Sequence, residues 1–381
     1  MRRLKVLEMI DKPFLGGGQV HLLSIATHLD RAAFDVSVAS KEGGPLEALA
    51  AASGLRFFPV PFRKGIDLRL VSEIARILRD NAIDILHTHG GVAGVFGRWA
   101  AGGGRTPVIV HTLHGIHYLH YRNPFSKYFS ILQERYFSRR TNAVVFVSGA
   151  DFESGRKWRL ARPEKMRLIR NGVDIGGLLH PGIPASGVDE IRFRLKLASP
   201  VVGTVARLHR QKGIVYLLEA AQEIHRQRPE AKIVVVGGGP LENTLRRKAG
   251  RSGLGRNLLL LGERADAREL LFLFDIFVLP SLWEGLPLAL IEAATLGKPI
   301  VATDIDGVRE IVSEGETGLL VPPKNPDRLA AAILRLLNDP ELSARLGQNA
   351  RSAIPARFSL SRMVEEIGQL YLELAGSKFS R

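Results

Sequence analysis

The sequence predicts an α/β protein of two parallel-sheet domains in series, and three observations lead there. Short apolar runs rich in Val, Ile and Leu alternate with longer stretches of helical period, the rhythm of βαβ units that build a parallel sheet. That rhythm breaks at His180-Pro-Gly-Ile-Pro-Ala-Ser-Gly187 and then starts again; a cluster of breakers without periodicity reads as a linker. Finally, 381 residues with 45% apolar and 24% charged side chains suffice for two cores and match an ordinary globular chain.

Taken in order, the first half offers strands at Lys5–Met9, Asp35–Ala39, Arg56–Val60, Ile83–His87, Val108–Thr112, Ala143–Val147 and Met166–Ile169. Helical patterns such as Val20–Leu29 and Leu70–Asn81 lie between them. The second half restarts with strands at Val201–Ala206, Lys232–Val236, Leu258–Leu261, Ile276–Leu279, Ile300–Ala302 and Gly318–Val321. Its helices fit Ile214–Arg226, Leu241–Ala249, Ala267–Phe274 and Pro287–Leu296. The expected division is a Rossmann-like domain over residues 1–180, a linker over 181–198, a second such domain over 199–360, and an amphipathic C-terminal helix over 361–381. Ligands of such sheets sit beyond the carboxyl ends of the strands, so the expected site is a cleft between facing domains.

Composition narrows the chemistry. The chain has no cysteine, which excludes disulfides, thiolate zinc sites and cysteine nucleophiles and fits a cytoplasmic setting. The run Met1–Ile10 is charged and then briefly apolar, ending at Asp11-Lys12-Pro13; it reads as a first strand and not a signal peptide. The greasiest stretch, Leu270–Leu279, is half a membrane span and contains Asp275. Lys and Arg number 53 against 38 Asp and Glu, a net charge of +15. A basic surface of this kind suits phosphate ligands or anionic lipid. Between Tyr118 and Arg170, twelve basic residues face four acidic ones. The part from Tyr118 to Leu132 interleaves those charges with aromatic side chains, a pattern for the surface of a membrane. No nucleic-acid-binding signature accompanies it, so no nucleic-acid partner is expected.

Two features carry chemistry. The strand Val201–Ala206 runs into Arg207-Leu-His-Arg-Gln-Lys-Gly213 and then a helix, placing Arg207 and Lys212 at the carboxyl edge of a sheet, where a diphosphate needs cations. Loop cations are commonly just solvated, so this signal is weak alone. The second feature, Ser281-Leu-Trp-Glu-Gly-Leu-Pro-Leu-Ala-Leu-Ile-Glu-Ala-Ala294, follows another strand. Pro287 suits the first position of a helix, leaving amides such as Leu288 and Ala289 and the helix dipole to attract phosphate. Glu284 lies in the loop ahead. Glu292 stands in an apolar helix, where a carboxylate needs donors such as the hydroxyls of a ribose; the alternative is a residue facing solvent.

Glu284 and Glu292, with seven residues between them, resemble the paired-glutamate motif of the retaining GT-B glycosyltransferases, glycosyltransferase family four. The resemblance extends to Gly203–Gly213, Val236-Gly-Gly-Gly-Pro240, Gly297–Thr303, Gly307-Val-Arg-Glu310 and Thr317–Pro322. In the first half Gly16-Gly-Gly-Gln19, Thr112-Leu-His-Gly115, Phe146-Val-Ser148 and Asn171-Gly-Val-Asp174 match too. It covers nearly the whole chain.

The resemblance implies a transferase that moves a sugar from a nucleotide-diphosphate sugar to a hydroxyl acceptor, in synthesis of cell-envelope polysaccharide, lipopolysaccharide or glycolipid. Arg207 and Lys212 would hold the diphosphate and stabilise the leaving phosphate in place of a metal. Glu292 would bind the ribose and Glu284 the transferred sugar. Gly237, Arg264, Gly285, Leu286, Pro287 and Leu288 would complete the donor site, and Gly16, Gly17 and Gly18 would approach the diphosphate as a glycine-rich loop. His114 matches the family histidine near the reacting sugar, and with Gln19 and His89 it would meet the acceptor; relatives often carry glutamate at the Gln19 position. No cofactor or metal is expected. Asp304-Ile-Asp306 reads as two turn aspartates and not as a metal motif. The implied route is front-face transfer with retention, a phosphate oxygen taking the acceptor proton. The implied partners are the donor and a sugar or lipid-linked acceptor, with an anionic membrane surface, placing the protein peripherally on the inner membrane face. The rival readings are a nucleotide-sugar epimerase of the same plan and a non-catalytic phospho-ligand binder. A dinucleotide dehydrogenase is disfavoured because Gly237-Gly-Gly-Pro-Leu-Glu242 lacks the required glycine spacing.

Overall fold

The computed structural model describes residues 2–379 apart from 64, 104–107, 180–184, 196, 198, 199 and 265. Among the described residues the strands form two sheets. The first holds β1 (Leu4–Ile10), β2 (Phe34–Ser40), β3 (Arg56–Pro59), β4 (Ile85–His89), β5 (Val108–Leu113), β6 (Ala143–Phe146) and β7 (Met166–Leu168), in the order β3-β2-β1-β4-β5-β6-β7. The second holds β8 (Val201–Val205), β9 (Lys232–Val236), β10 (Leu258–Gly262), β11 (Ile276–Leu279), β12 (Ile300–Thr303) and β13 (Leu319–Val321), in the order β10-β9-β8-β11-β12-β13. Every pairing is parallel. Helices cover the faces, so the central strands are buried and mostly apolar, as a doubly covered sheet demands, with Glu8 in β1 and His87 and His89 in β4 as buried exceptions.

The chain divides into two compact units, Met1–Gly172 with Leu360–Arg381, and Val173–Ser359. The expected boundary at residue 180 therefore falls earlier. Ala185–Arg194, inside the expected linker, is a helix of the second unit, while residues 181–184 lie outside the described residues. Breakers mark where the local chain turns, whereas membership of a unit depends on long-range pairing. The chain leaves and re-enters at adjoining points: Val173 N–H donates to the Phe358 carbonyl at 2.8 Å, and Gly172 N–H points at Met363 Sδ, 3.2 Å away.

Two elements depart from the sequence reading in ways that matter. β4 begins two residues later than expected, at Ile85, because Ala82 turns the chain with φ +50°; His89 consequently lies in the strand and not in the loop after it. Ala267–Phe274, expected as an α-helix, contains only the 3-10 turn Glu269–Leu273. The chain is needed there to seat the Phe274 ring over β8, where a Cβ on Gly203 would come within 2.2 Å of that ring. Asp275 then caps the sheet, its carboxylate accepting from Val201 N–H at 2.7 Å.

Leu360–Phe379 packs on the first sheet, burying Met363, Ile367 and Tyr371 against Ile25, Leu29 and Phe34. Full burial of such side chains contributes about 2 kcal/mol each. Among the described residues no helix is long and apolar enough to cross a membrane.

Candidate active site

In each sheet the strand order reverses once between strands distant in sequence, at β1/β4 in the first unit and at β8/β11 in the second. Crossovers leave such a point in opposite directions, and the crevice beyond the strand ends is where doubly wound sheets bind ligands. The expected site residues gather at these two points.

At β8/β11 the loops are pressed together by small residues. Gly213 has φ +60°, and a Cβ there would lie 1.9 Å from the Pro280 carbonyl oxygen, so only glycine lets the loop after β8 meet the loop after β11. Leu282 N–H donates to Gln211 O at 2.7 Å, and Gln211 Nε2 donates to Trp283 O at 2.9 Å. Gly237, with φ +130°, brings the loop after β9 against Ala206 O, 2.1 Å from where a Cβ would sit. Gly285 is buried, and a Cβ on Gly307 would lie 2.1 Å from its carbonyl oxygen. These glycines shape the loops that carry the charges.

The charged groups are not alike. Lys212 Nζ donates to Glu284 Oε1 at 2.5 Å, Ser281 Oγ donates to the same oxygen at 2.6 Å, and Gln211 Nε2 reaches Oε2 at 3.3 Å. The Glu284 side chain is 5% exposed, so its charge is buried, paired and triply bonded. Arg207, by contrast, is exposed and makes no ion pair among the described residues. Lys212 is thus already neutralised by Glu284, and Arg207 brings an uncompensated cation. Arg264, at the end of β10, is engaged by Asp266 through two bonds of 2.7 and 2.5 Å.

Leu288–Thr295 supplies the helix start. Pro287 is its N-cap and not its first residue, with φ −74° and ψ 110°, because its extended ψ keeps it outside the helix. Leu290 and Ile291 N–H both donate to Pro287 O, at 3.1 and 3.3 Å, so the amides of Leu288 and Ala289 precede the ladder and stay available to an anion. Glu292 follows one turn on. Burial pushes its carboxyl up to about 7; Arg268, whose Nε lies 3.5 Å away, acts the other way, and Glu269 adds to the rise. Arg268 Nη2 also donates to Asp174 O at 2.8 Å. Neither Arg268 nor the clamp residues Gln211 and Ser281 stood out in the sequence: Arg268 and Gln211 act through partners far along the chain, and Ser281 reaches Glu284, three residues on, by a loop geometry that no periodicity marks.

Asp304 is held by Arg309 through bonds of 2.6 and 2.9 Å, an exposed pair of the kind expected for a turn aspartate.

At β1/β4 the loop after β1 leads into the helix Gly17–His28, with Gly16 as N-cap. A Cβ on Gly17 would meet nothing within 4 Å, whereas one on Gly18 would lie 3.3 Å from His114 Cδ2. His114 follows β5 and its Nε2 lies 3.0 Å from His89 Nδ1. Two residues expected at the acceptor are engaged within the protein here. His89 is fully buried in β4 with both ring nitrogens engaged, by His114 and by Glu8. Gln19 is buried and its Nε2 donates to Lys12 O at 3.1 Å, bracing the glycine loop from within. Glu8, His21, His87 and Tyr371 join this cluster unannounced. The signal for Glu8 was available: a carboxylate in the middle of the apolar run Leu4–Ile10.

The family model described as Glycosyltransferase Family 4 matches residues 15–176, and that described as Glycosyl transferases group 1 matches residues 188–353. A UDP-Gal:alpha-D-GlcNAc-diphosphoundecaprenol alpha-1,3-galactosyltransferase of Escherichia coli is 31% identical over 99% of this chain and 98% of its own. The chain belongs to the retaining GT-B glycosyltransferases of family four. This glycosyltransferase is also similar to an alpha-D-kanosaminyltransferase of Streptomyces kanamyceticus, 34% identical over 49% of each chain. Its fold matches that of HepE from Anabaena, crystallised with UDP-glucose, with a TM-score of 0.84 at 24% identity over 97% of this chain and 100% of the other. The epimerase and silent-binder readings find no support among these relatives.

Proposed function

We propose that this glycosyltransferase takes a hexose-type sugar from a nucleoside-diphosphate donor bound at β8/β11 and passes it, without a metal, to a hydroxyl of a lipid-linked or envelope-saccharide acceptor. The observation that supports it most is the charge pattern at that switch point. An exposed Arg207, a Lys212 held against Glu284, and the amides of Leu288 and Ala289 offer positive potential where a diphosphate would lie. Glu292 suits a pair of ribose hydroxyls, which would give its buried carboxylate the donors it lacks. As the sugar leaves, charge grows on the departing phosphate, and groups already fixed there stabilise it at small reorganisation cost. The acceptor hydroxyl attacks from the face the diphosphate leaves, its proton passing to a phosphate oxygen, and the anomeric configuration is retained. The Escherichia coli relative, named for a UDP-Gal donor and a diphosphoundecaprenol-linked acceptor, gives the first substrates to try. Release of UDP from UDP-galactose, followed with and without that acceptor, tests the reading. Acceptor-dependent release that persists in EDTA supports it; release that needs no acceptor, or that EDTA abolishes, overturns it.

A lipid-linked acceptor calls for a membrane surface, and the helix Pro124–Ser138 of the first unit fits one. Phe125, Phe129, Leu132 and Tyr136 form an exposed stripe at helical spacing, with Phe125 78% exposed. Lys127, Arg122, Arg139 and Arg140 flank it. Apolar side chains framed by cations suit the headgroup region of an anionic bilayer. Co-sedimentation with phosphatidylglycerol vesicles at low salt is the test: Phe125→Ser with Phe129→Ser should lower binding at least tenfold, and equal binding by both proteins would refute the surface.

A further inference from the structure

Buried protons at the β1/β4 switch point can be assigned one by one. Glu8 is 0% exposed. Burial pushes its carboxyl up, but His87 and His89 together outweigh that and hold it well below the usual carboxylate range. An ionised carboxylate only accepts. His89 Nε2 at 2.6 Å and the Tyr371 hydroxyl at 2.6 Å must therefore both donate to it. With the Tyr371 proton so committed, His87 Nδ1, 2.5 Å from the Tyr371 oxygen, is a donor, and its Nε2 lies 2.7 Å from Thr112 Oγ1.

The assignment then propagates. His89 is pushed down to about 4, by burial first and His87 second, so at neutral pH it carries one proton, already placed on Nε2. Its Nδ1 is a bare lone pair. His114 Nε2 lies 3.0 Å from that lone pair, and two ring nitrogens at this distance need one N–H between them. His114 supplies it. Burial, and then His21, hold His114 well below the ordinary histidine range, so this is its single proton. Nδ1 of His114 is left as an acceptor, buried and without a hydrogen-bond partner among the described residues. The ring cannot easily turn to change this, with Gly18 close to one side, where a Cβ would lie 3.3 Å from His114 Cδ2, and the His21 ring edge-on, its centroid 4.7 Å away.

We propose that Glu8, acting through His89, sets the tautomer of His114, so that His114 meets a bound sugar only as an acceptor for a hydroxyl hydrogen. Glu8 and His89 are positioning residues: they touch no substrate, and they decide which nitrogen of His114 is free, as an orienting carboxylate does for a metal-bound or triad histidine. Tyr371 holds the carboxylate from the C-terminal helix. The idea rests on the reading of His114 as the histidine beside the transferred sugar, and the experiment separates the two.

Long-range proton–nitrogen NMR on the full chain with 15N-labelled histidine reports the tautomers directly, before any ligand is added. In the unaltered protein at pH 7, His89 and His114 should both carry their proton on Nε2. Glu8→Gln, whose amide can turn either its oxygen or its NH2 toward His89, should populate both tautomers of His114. It should lower kcat for UDP release from UDP-galactose with the lipid-linked acceptor by ~10- to 100-fold, the effect of one misdirected buried hydrogen bond, while KM for the donor changes less than about threefold. Tyr371→Phe removes one donor to Glu8 but leaves the His89 bond, so it should lower the melting temperature with the tautomer unchanged. A wild-type His114 protonated on Nδ1, an imidazolium at His89, or zinc bound by His21, His89 and His114 in the purified protein would each overturn the proposal. So would a Glu8→Gln protein with wild-type tautomer and rate, or a shifted tautomer without a change in rate. If His114→Ala kept full turnover, the placement of His114 beside the sugar would fail, while the tautomer assignment would still be decided by the spectra.

Discussion

The switch points β1/β4 and β8/β11 arise from the same strand reversal yet handle charge in opposite ways. At β8/β11 the polar groups are cations and free amides near the surface: Arg207 exposed, Lys212 half-buried on Glu284, and Leu288 and Ala289 at a helix start. At β1/β4 the ionised group, Glu8, is sunk in the central strand and surrounded by histidines that burial keeps from charging, His21 and His114 among them. A site for a dianionic diphosphate needs fixed positive potential, whereas a site for neutral hydroxyls needs directed donors and acceptors without net charge to screen. One fold supplies both by changing what stands at the ends of its strands.

The contrast can be broken most severely at Arg207 and Lys212. Replacing both with alanine should cut turnover by ~10³-fold or more, since single fixed groups of this kind are worth 10²–10³. The two single variants should differ: Arg207→Ala should fold normally and lose donor affinity, while Lys212→Ala also strands the buried Glu284 charge, costing about 3 kcal/mol of stability. Steady-state kinetics with UDP-galactose and thermal unfolding would separate them; equal melting temperatures would contradict the buried pair.

Glu292 sharpens the comparison next, because it is a buried carboxyl without the histidine partners that Glu8 has. Its pKa, raised to about 7 in the folded state, means that the native chain binds more protons than the unfolded chain between the ordinary glutamate value and 7. Stability should therefore fall as pH rises through that window, by about 2–3 kcal/mol at most. Glu292→Gln should flatten this dependence. Calorimetry of UDP binding at pH 6.5 in buffers of different ionisation enthalpy should show proton release in the wild type and none in the variant, since ribose donors favour the charged carboxylate.

Glu8 has the opposite sign. Its folded pKa is depressed, so its stabilisation is present above the ordinary carboxylate range and lost as pH falls below it. Tyr371→Phe should narrow this acid-side stability by about 1.5–3 kcal/mol, the worth of a hydrogen bond to a charged group, read from urea unfolding at several pH values. The smallest effect is expected at Arg309→Ala, which removes an exposed pair with Asp304; turnover should be unchanged.

Legibility in the sequence followed the range of the interaction. Strands such as Lys232–Val236 and Ile276–Leu279 were readable because a doubly covered sheet writes itself as an apolar run. The helix start at Pro287 was readable to within one residue, since proline is the N-cap where the first helical position was expected. The Lys212–Glu284 bond spans 72 residues and the Tyr371–Glu8 bond 363, and no periodicity carries such pairs. His89 was misplaced because a two-residue error in the start of β4 moves a strand residue into a loop. The bond from Gln19 to Lys12 O was not readable, because no motif marks which amide braces a glycine loop from within.

The discontinuity of the first unit has a consequence for biosynthesis. Val173–Ser359 is one uninterrupted stretch, free to complete its core as soon as it has left the ribosome. The earlier-made sheet, with Glu8 in one of its strands, lacks Tyr371 and the cover of Leu360–Phe379 until that helix has been made in turn. The half of the protein that is synthesised first is therefore the half that matures last, and its apolar face waits uncovered for the whole time the other is being made.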